Sequence, residues 1–429
     1  MRIGGRLAGA IEVLEDVETR RRPIANALKD WGTAHRFAGS GDRAAIGNIV
    51  YDALRLKLSH AWMMDSDAPS ALAHAVFFRQ WGFTPETLAA KLEGDKFAPA
   101  PLAQETLQAF ANRDLADAPD YIRGDLPEWI LPAFQENFGE GWLSEAEALN
   151  RRPPLDLRVN TLKATPEKVK KALSRAGAEF AKIAPDGLRI TPGEGADRLP
   201  NVTAELAFQK GWFEVQDEGS QIVAALACAE SGQQVLDYCA GGGGKTLALS
   251  AFMENAGQIH AYDADRTRLA PIIERLRRAG TRNVQVHDAA SGLEGMEGRF
   301  DRVLIDAPCT GTGTWRRRPD IKWRLSEKNL EERTAQQAEV LDSACGYVKP
   351  GGLISYVTCS LLPSENQNQI ERFLEHNNQF EIVSLQEVWS GQFPSAGTSP
   401  HFSAAGFATL TPAKTGTDGF FSALLRRKS

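Results

Sequence analysis

Apolar residues recur at three- and four-residue intervals through the first third of the chain. In "SGDRAAIGNIVYDALRLKL", Ile46, Ile49, Val50 and Leu54 share one side of a helix, with Ser40 or Asp42 as a possible cap. Residues 1–140 are therefore expected to form a helical domain. The Pro-rich "NRRPPLDLRVN" breaks this rhythm. From there to "GWFEVQDEGS" the pattern reads as a strand, a helix and further short strands, a small α/β domain over 141–218. Its helix, "TPEKVKKALSRAG", has Thr165 as cap, Pro166 at the first position and Gly177 past the end.

From Gly219 to the end, 219–429, strands and helices alternate. "QQVLDYCAGGGGKT" is a strand running into a glycine loop and a helix, and "QIHAYDAD", "NVQVHDA" and "FDRVLIDAPC" are further strands. In "RTRLAPIIERLRRAG", Leu269, Ile272, Ile273 and Leu276 are expected on one helical face. A helix from about Leu330 leads into the strand "GGLISYVTC", and Ser364 with Gln367 fits a capping box for the helix that follows. "FATLTP" and "GFFSALLRR" read as an antiparallel pair at the end. The alternation predicts a mostly parallel, doubly wound α/β sheet.

The chain has 429 residues, 42% of them hydrophobic and 24% charged, enough for two or three globular domains. Glu12 and Glu15 fall where a signal peptide needs an apolar run, and no segment is long enough to span a membrane, so a cytoplasmic protein is expected. The five cysteines include no C-x-x-C pair and no neighbouring histidine pair, which argues against a metal site and leaves free thiols. A net charge of −6 weakens any reading as a general nucleic-acid coat protein without excluding a local basic patch. "WRRRPDIKWR", Trp315 to Arg324, carries five basic residues and two tryptophans around a single acid. Phosphate contact and base stacking need both residue types, so Arg316, Arg317, Arg318 and Lys322 are candidate RNA-binding residues.

In an open α/β sheet, ligands sit beyond the C-terminal strand ends. The loop Cys239, Ala240, Gly241, Gly242, Gly243, Gly244, Lys245 follows such an end. It fits neither a phosphate-binding P-loop, which would need glycine at 239, nor the dinucleotide fingerprint, which would need a final glycine where Thr246 or Leu247 stands. What remains is a backbone able to approach a ligand closely at a helix N-terminus. Asp263, Asp288 and Asp306 each end a later strand, and Asp263 is placed to take ribose hydroxyls. Among the cysteines, Cys345 shares a helical face with Ala338, Leu341 and Val348, and Cys228 lies in "IVAALACA", so both read as core. Cys239 reads as packing within the glycine loop. Cys309 and Cys359 alone end strands on the side of the expected ligand.

"DYCAGGGGKT", "DAPCTGTGTWRRRPDIKW" and "YVTCSLLPSENQ" resemble the signature motifs of the Sun/Nop family of RNA (cytosine-5) methyltransferases, its RsmB-like bacterial ribosomal RNA members in particular. The likeness extends through "PLDLRVNTLK", "GWFEVQDEGSQ" and "GTDGFFSALLRR" and covers roughly the last two thirds of the chain. The first third resembles a NusB-type helical domain, mainly through "GDRAAIGNIVYDALR". One departure is Gly242, where the family usually has proline.

The resemblance implies a Rossmann-like class I methyltransferase domain at 219–429, an RRM-like domain at 141–218 and a NusB-like domain at 1–140. It implies S-adenosylmethionine as cofactor, held by residues 239–245, Asp263, Asp288 and Asp306. It also implies Cys359 as nucleophile toward carbon 6 of the cytosine and Cys309 as the residue that assists release, with Asp306 holding the ring-nitrogen edge. The expected partner is RNA, most simply 16S ribosomal RNA with tRNA as the alternative, acted on by a monomer without metal. A DNA cytosine methyltransferase would leave the cysteine of "VTC" unexplained. A non-catalytic assembly factor on the same fold would not need both cysteines.

Overall fold

The structure is a computed structural model that describes residues 1–429. It divides into two compact units. The first comprises Met1–Pro153, Pro192–Leu199 and Thr314–Leu325 and is helical. Its core is the apolar stripe of Ile3–Arg20, with Leu7, Leu14 and Val17, packed on Ile46, Ile49, Val50 and Leu54 of Ser40–Arg55 and on Leu72, Val76 and Phe77 of Pro69–Arg79. The helix at 40 is entered from Gly39 with no side-chain cap. Asp42 is drawn off instead to the N-terminal ammonium at 3.0 Å and Arg6 at 2.9 Å.

The second unit holds two sheets. The smaller consists of β1 (Leu155–Val159), β2 (Glu179–Phe180), β3 (Gly187–Ile190) and β4 (Phe213–Val215), antiparallel throughout in the order β2-β3-β1-β4. Its helix Pro166–Ala172 is capped by Thr165, whose side chain accepts from Lys168 N, and Gly177 follows in the left-handed region at φ 72°.

The larger sheet consists of β5 (Gln234–Asp237), β6 (Gln258–Tyr262), β7 (Val284–His287), β8 (Phe300–Asp306), β9 (Val348–Thr358), β10 (Phe380–Val383), β11 (His401–Phe402), β12 (Ala408–Leu410) and β13 (Phe420–Arg427). The run β7-β6-β5-β8-β9 is parallel, and β13 then pairs antiparallel with β9, β12 and β10. The chain winds outward from β5 to β7, returns to β8 and winds the other way. This puts the topological switch point between β5 and β8, where an open sheet forms its ligand crevice.

Within this unit, buried ions join the small sheet to the large one. Glu218, fully buried, accepts from Ile183 N at 2.7 Å and Ala184 N at 3.0 Å. Glu214 on β4 takes Arg278 at 2.6 Å and Arg275 at 3.1 Å, and Asn160 donates to Ala279 O at 2.8 Å. Each of these buried carboxylates has partners, as burial of charge requires.

Two sequence expectations change. Pro271 divides the helix after β6 into Arg266–Leu269 and Ile272–Ala279, so Ile272 and Leu276 face the core while Ile273 is 60% exposed. The helix Gln367–His376 has Asn366 at its start and no capping box, because a short 3₁₀ turn over Pro363–Glu365 precedes it and faces Glu365 inward. The small sheet packs in the same compact unit as the large one, and the segment Thr314–Leu325 packs with the helical unit.

Candidate active site

β5 ends at Asp237, and the chain turns through Gly241 (φ 50°) and Gly243 (φ 79°) into the helix Gly244–Phe252. These left-handed angles are why the loop needs glycine at both positions. At Gly243 a side chain would also press on Ile272. Gly242 has no such requirement, and its carbonyl is held by Arg275 Nη1 at 2.6 Å. Asp263, just past β6 and 4% exposed, accepts Gly241 N at 2.9 Å and Asp265 N at 2.8 Å. Asp306, at the end of β8, receives Lys245 Nζ at 2.7 Å with its carboxylate still part-open to solvent. Asp288 is exposed, 3.9 Å from Arg266. Burial, with Asp263 and Asp306 close by, pushes the Cys239 thiol up, which suits packing and not attack.

Asp237 carries no signal of its own in the sequence. It is fully buried and accepts Thr246 Oγ1 at 2.7 Å, while its other oxygen has no partner. Burial, aided by Asp306 and Asp263, raises its carboxyl to about 7. A carboxyl raised from 3.8 favours folding below about pH 4, and that contribution is lost as pH rises through 7. In cofactor-free protein, Asp237→Asn should therefore gain stability over wild type between pH 5.5 and pH 8.5. The gain accrues at roughly 1.4 kcal/mol for each pH step of one up to the folded-state pKa, then levels off. Urea melts at the two pH values measure this; an equal difference at both would show that Asp237 stays ionised.

β8 and β9 are parallel neighbours, with Asp306 opposite Val357. Their ends deliver Cys309 and Cys359 side by side, Sγ to Sγ 3.3 Å. The backbone fixes both loops: Ala307 N donates to Val357 O at 2.8 Å, and Gly313 N donates to Cys359 O at 2.9 Å. Gly419 N closes the set on Gly313 O at 2.8 Å, and the two glycine backbones pack so closely that neither position has room for a Cβ. The thiol hydrogen bond to Cys359, with burial, holds Cys309 well above the usual cysteine range. Cys309 is thus the thiol that keeps its proton, and it lies within hydrogen-bond reach of the Cys359 sulfur.

The residue that ties the two loops together also escapes sequence reasoning. Glu365, fully buried, accepts Thr310 N at 2.8 Å and Gln337 Nε2 at 2.9 Å, and both Thr310 Oγ1 and Ser360 Oγ in very short contacts. Thr310 follows Cys309 and Ser360 follows Cys359. Thr312 adds a second stitch, accepting Leu361 N at 2.8 Å and meeting Ser360 Oγ at 3.1 Å. The signal that could have found it is the hydroxyl beside each cysteine with an acid six residues beyond Cys359, which a capping-box pattern obscures.

The basic-aromatic run has another character than expected. Lys322, 1% exposed, donates to Asn150 Oδ1 at 2.8 Å and Arg55 O at 3.1 Å and lies 4.7 Å from the Trp323 ring centre. Burial lowers its pKa to about 8. Trp315 stacks on Phe134, centroids 6.0 Å apart, and Arg316 is 4% exposed with its carbonyl accepting from Arg55 Nε at 2.8 Å. Arg316 and Lys322 are therefore interior groups of the helical unit and not available to RNA phosphates. The Lys322 ammonium is spent on two oxygens and an indole face. Arg317 is half-buried and Arg318 exposed, so the candidate surface contracts to these two.

A parallel sheet with its glycine loop at the switch point is a Rossmann-like architecture, and comparison with known proteins makes it a methyltransferase domain. Residues 223–426 match the family described as 16S rRNA methyltransferase RsmB/F, and residues 126–193 match the ferredoxin-like domain of RsmF/B-like methyltransferases. Ribosomal RNA small subunit methyltransferase B of Pectobacterium atrosepticum is 34% identical over 333 residues, 75% of this chain and 70% of that protein. Its counterpart in Pectobacterium carotovorum is 35% identical over 310 residues, 70% of this chain, and the chain spans 66% of that relative's length. The crystal structure of PH0851 superposes with a TM-score of 0.75 at 25% identity, covering 100% of both chains. A methyltransferase homologue from Pyrococcus horikoshii gives 0.59 at 28% identity, over 72% of this chain and 97% of that one. The chain belongs to the RsmB/F methyltransferase family. No helix is long and apolar enough to cross a membrane.

Proposed function

We propose that this protein transfers a methyl group from S-adenosylmethionine to carbon 5 of a cytosine in RNA, 16S ribosomal RNA by the names of its relatives, through a covalent bond between Cys359 and the base. The observation that carries this reading is the pair of thiols 3.3 Å apart at the ends of adjacent strands, beside Asp306. Carbon 5 of cytosine is too weak a nucleophile on its own, and a covalent adduct divides the hard step into two easier ones.

The residues at the switch point fit the cofactor. Asp237 presents a buried oxygen without a partner, and the loop lacks side chains where a ligand must approach the backbone. Residues 239–245 would lie along it, with Asp263 for the ribose hydroxyls, Asp288 at the rim and Asp306 near the reacting end. When bound, it supplies an electrophilic methyl group on a sulfonium. Cys359 Sγ bonds to carbon 6 and the ring electrons move to carbon 5, with Asp306, oriented by Lys245, holding the ring-nitrogen edge. Once carbon 5 carries the methyl group, its proton passes to the thiol pair: Cys309, within hydrogen-bond reach of the departing sulfur, gives its own proton to Cys359 as it takes the one from carbon 5, and the returning electrons break the bond between Cys359 and carbon 6. The base must be unpaired or flipped to enter.

Asp263→Ala should weaken cofactor binding tenfold or more by titration calorimetry, since hydrogen bonds to a charged group contribute about 1.5–3 kcal/mol each. Unchanged affinity would remove its ribose role. Bisulfite sequencing of ribosomal RNA from a deletion strain tests the reaction itself. One cytosine should turn from resistant to reactive; an unchanged pattern in ribosomal RNA and tRNA alike would refute the proposal.

A further inference from the structure

Away from the thiols, the second unit holds a cavity of about 320 Å³ whose lining includes Arg158, Asp186 and Glu230. Arg158 on β1 borders it and is 3% exposed. Its Nε donates to Gln216 Oε1 at 2.8 Å, and the nearby carboxylates of Glu214 and Asp186 form no direct ion pair with the guanidinium. A buried guanidinium without a direct ion pair is expensive to maintain, and an occupant with paired acceptors would satisfy its open N–H groups. Gln221, also 3% exposed, lines the same space. Its Nε2 is committed to Gln216 O at 2.9 Å, which leaves Oε1 buried with no partner. Asp186 contributes a half-buried carboxylate, and Phe252 and Phe393 supply apolar walls.

The cavity offers Arg158 as a buried donor and Gln221 Oε1 as a buried, unpaired acceptor, with the Asp186 and Glu230 carboxylates and the Gln392 amide also in its lining. An occupant must present paired acceptors on one edge and N–H donors on another, and be flat enough to lie against phenylalanine rings. Among the RNA bases guanine answers this best. Its O6 and N7 suit a guanidinium, and its N1–H and N2–H₂ suit an amide oxygen and a carboxylate. Adenine and cytosine carry one donor group, the exocyclic amine, and uracil a single ring N–H, so guanine alone sets two donor groups side by side. The volume is at the small end for ligand pockets, right for one base. We propose that this cavity is a recognition subsite for a single guanine, drawn from an RNA chain or from a free nucleotide. It rests on the methyltransferase reading only for the expectation that RNA is the source.

Calorimetry of the full chain with GMP, IMP and AMP tests the site without measuring methyl transfer, so its failure is separate from that of the proposed function. GMP should bind saturably, IMP at least fivefold more weakly for want of the exocyclic amine, and AMP without saturation. Ala229→Trp, which fills the cavity, should abolish GMP binding and leave S-adenosylmethionine binding unchanged. If a thermal melt shows that variant unfolded, Gln221→Leu carries the test, with GMP weakened at least fivefold. A single-stranded oligouridylate with one guanosine should bind more tightly than oligouridylate alone, and the preference should vanish in the same variants; this assigns the subsite to RNA. Saturable GMP binding with equal oligonucleotide affinities assigns it to a free nucleotide. No GMP binding and no oligonucleotide preference, or GMP binding that ignores both substitutions, would overturn the proposal.

Discussion

Glu365→Ala should lower turnover about a hundredfold or more while leaving S-adenosylmethionine affinity nearly unchanged. The carboxylate touches neither thiol, yet it accepts hydrogen bonds from the residues that follow both of them, Thr310 and Ser360, and from Gln337. Removing it leaves buried donors unsatisfied, each costing about 1–3 kcal/mol. It also frees the two loops to drift, and a misplacement of about 1 Å at a reacting group can cost about 10²-fold. The loss should fall on kcat and on adduct formation, with a smaller change in KM for RNA. Glu365→Gln keeps the volume and one acceptor oxygen, so it should recover part of the rate. Single-turnover kinetics on folded variants decides the matter; a Glu365→Ala rate within threefold of wild type would remove the positioning role.

The larger loss is expected at Cys359. With no sulfur to bond carbon 6, carbon 5 is never activated, and Cys359→Ala should lose methyl transfer by about four orders of magnitude or more, as removal of a covalent nucleophile does elsewhere. Cys309→Ala differs in kind. Its nucleophile remains, so it should form the adduct and accept one methyl group, then fail to release. Wild type and the Cys359 and Cys309 variants should therefore give many turnovers, none, and about one per enzyme with labelled cofactor.

How much of this can be read from the chain differs by residue. The strand ends carrying Asp263, Asp306, Cys309 and Cys359 are legible because a β-branched run stopping at a polar residue marks both the strand and its mouth. That the two cysteines meet depends on β8 and β9 being neighbours, which alternation suggests but does not fix. Asp237 is invisible: a lone acid at a strand end looks the same whether solvated or buried. Glu365 is hidden by a competing pattern, Ser364 with Gln367, because helix-start signals do not register an acid turned inward. Lys322 and Arg316 mislead for the opposite reason. A charge run reads as surface, and only the tertiary structure shows that Lys322 reaches Asn150 and a backbone carbonyl 267 positions away. Ile273 leaves its expected face because Pro271 restarts the helix.

The roles of the two thiols are tested most directly by a denaturing gel of Cys309→Ala and Cys359→Ala, each incubated with S-adenosylmethionine and total RNA from a deletion strain. Cys309→Ala should give a protein–RNA band that survives denaturant and carries label from the cofactor, and Cys359→Ala should give none. A band from Cys359→Ala, or none from Cys309→Ala when wild type is active, would contradict the assignment of Cys359 as the nucleophile.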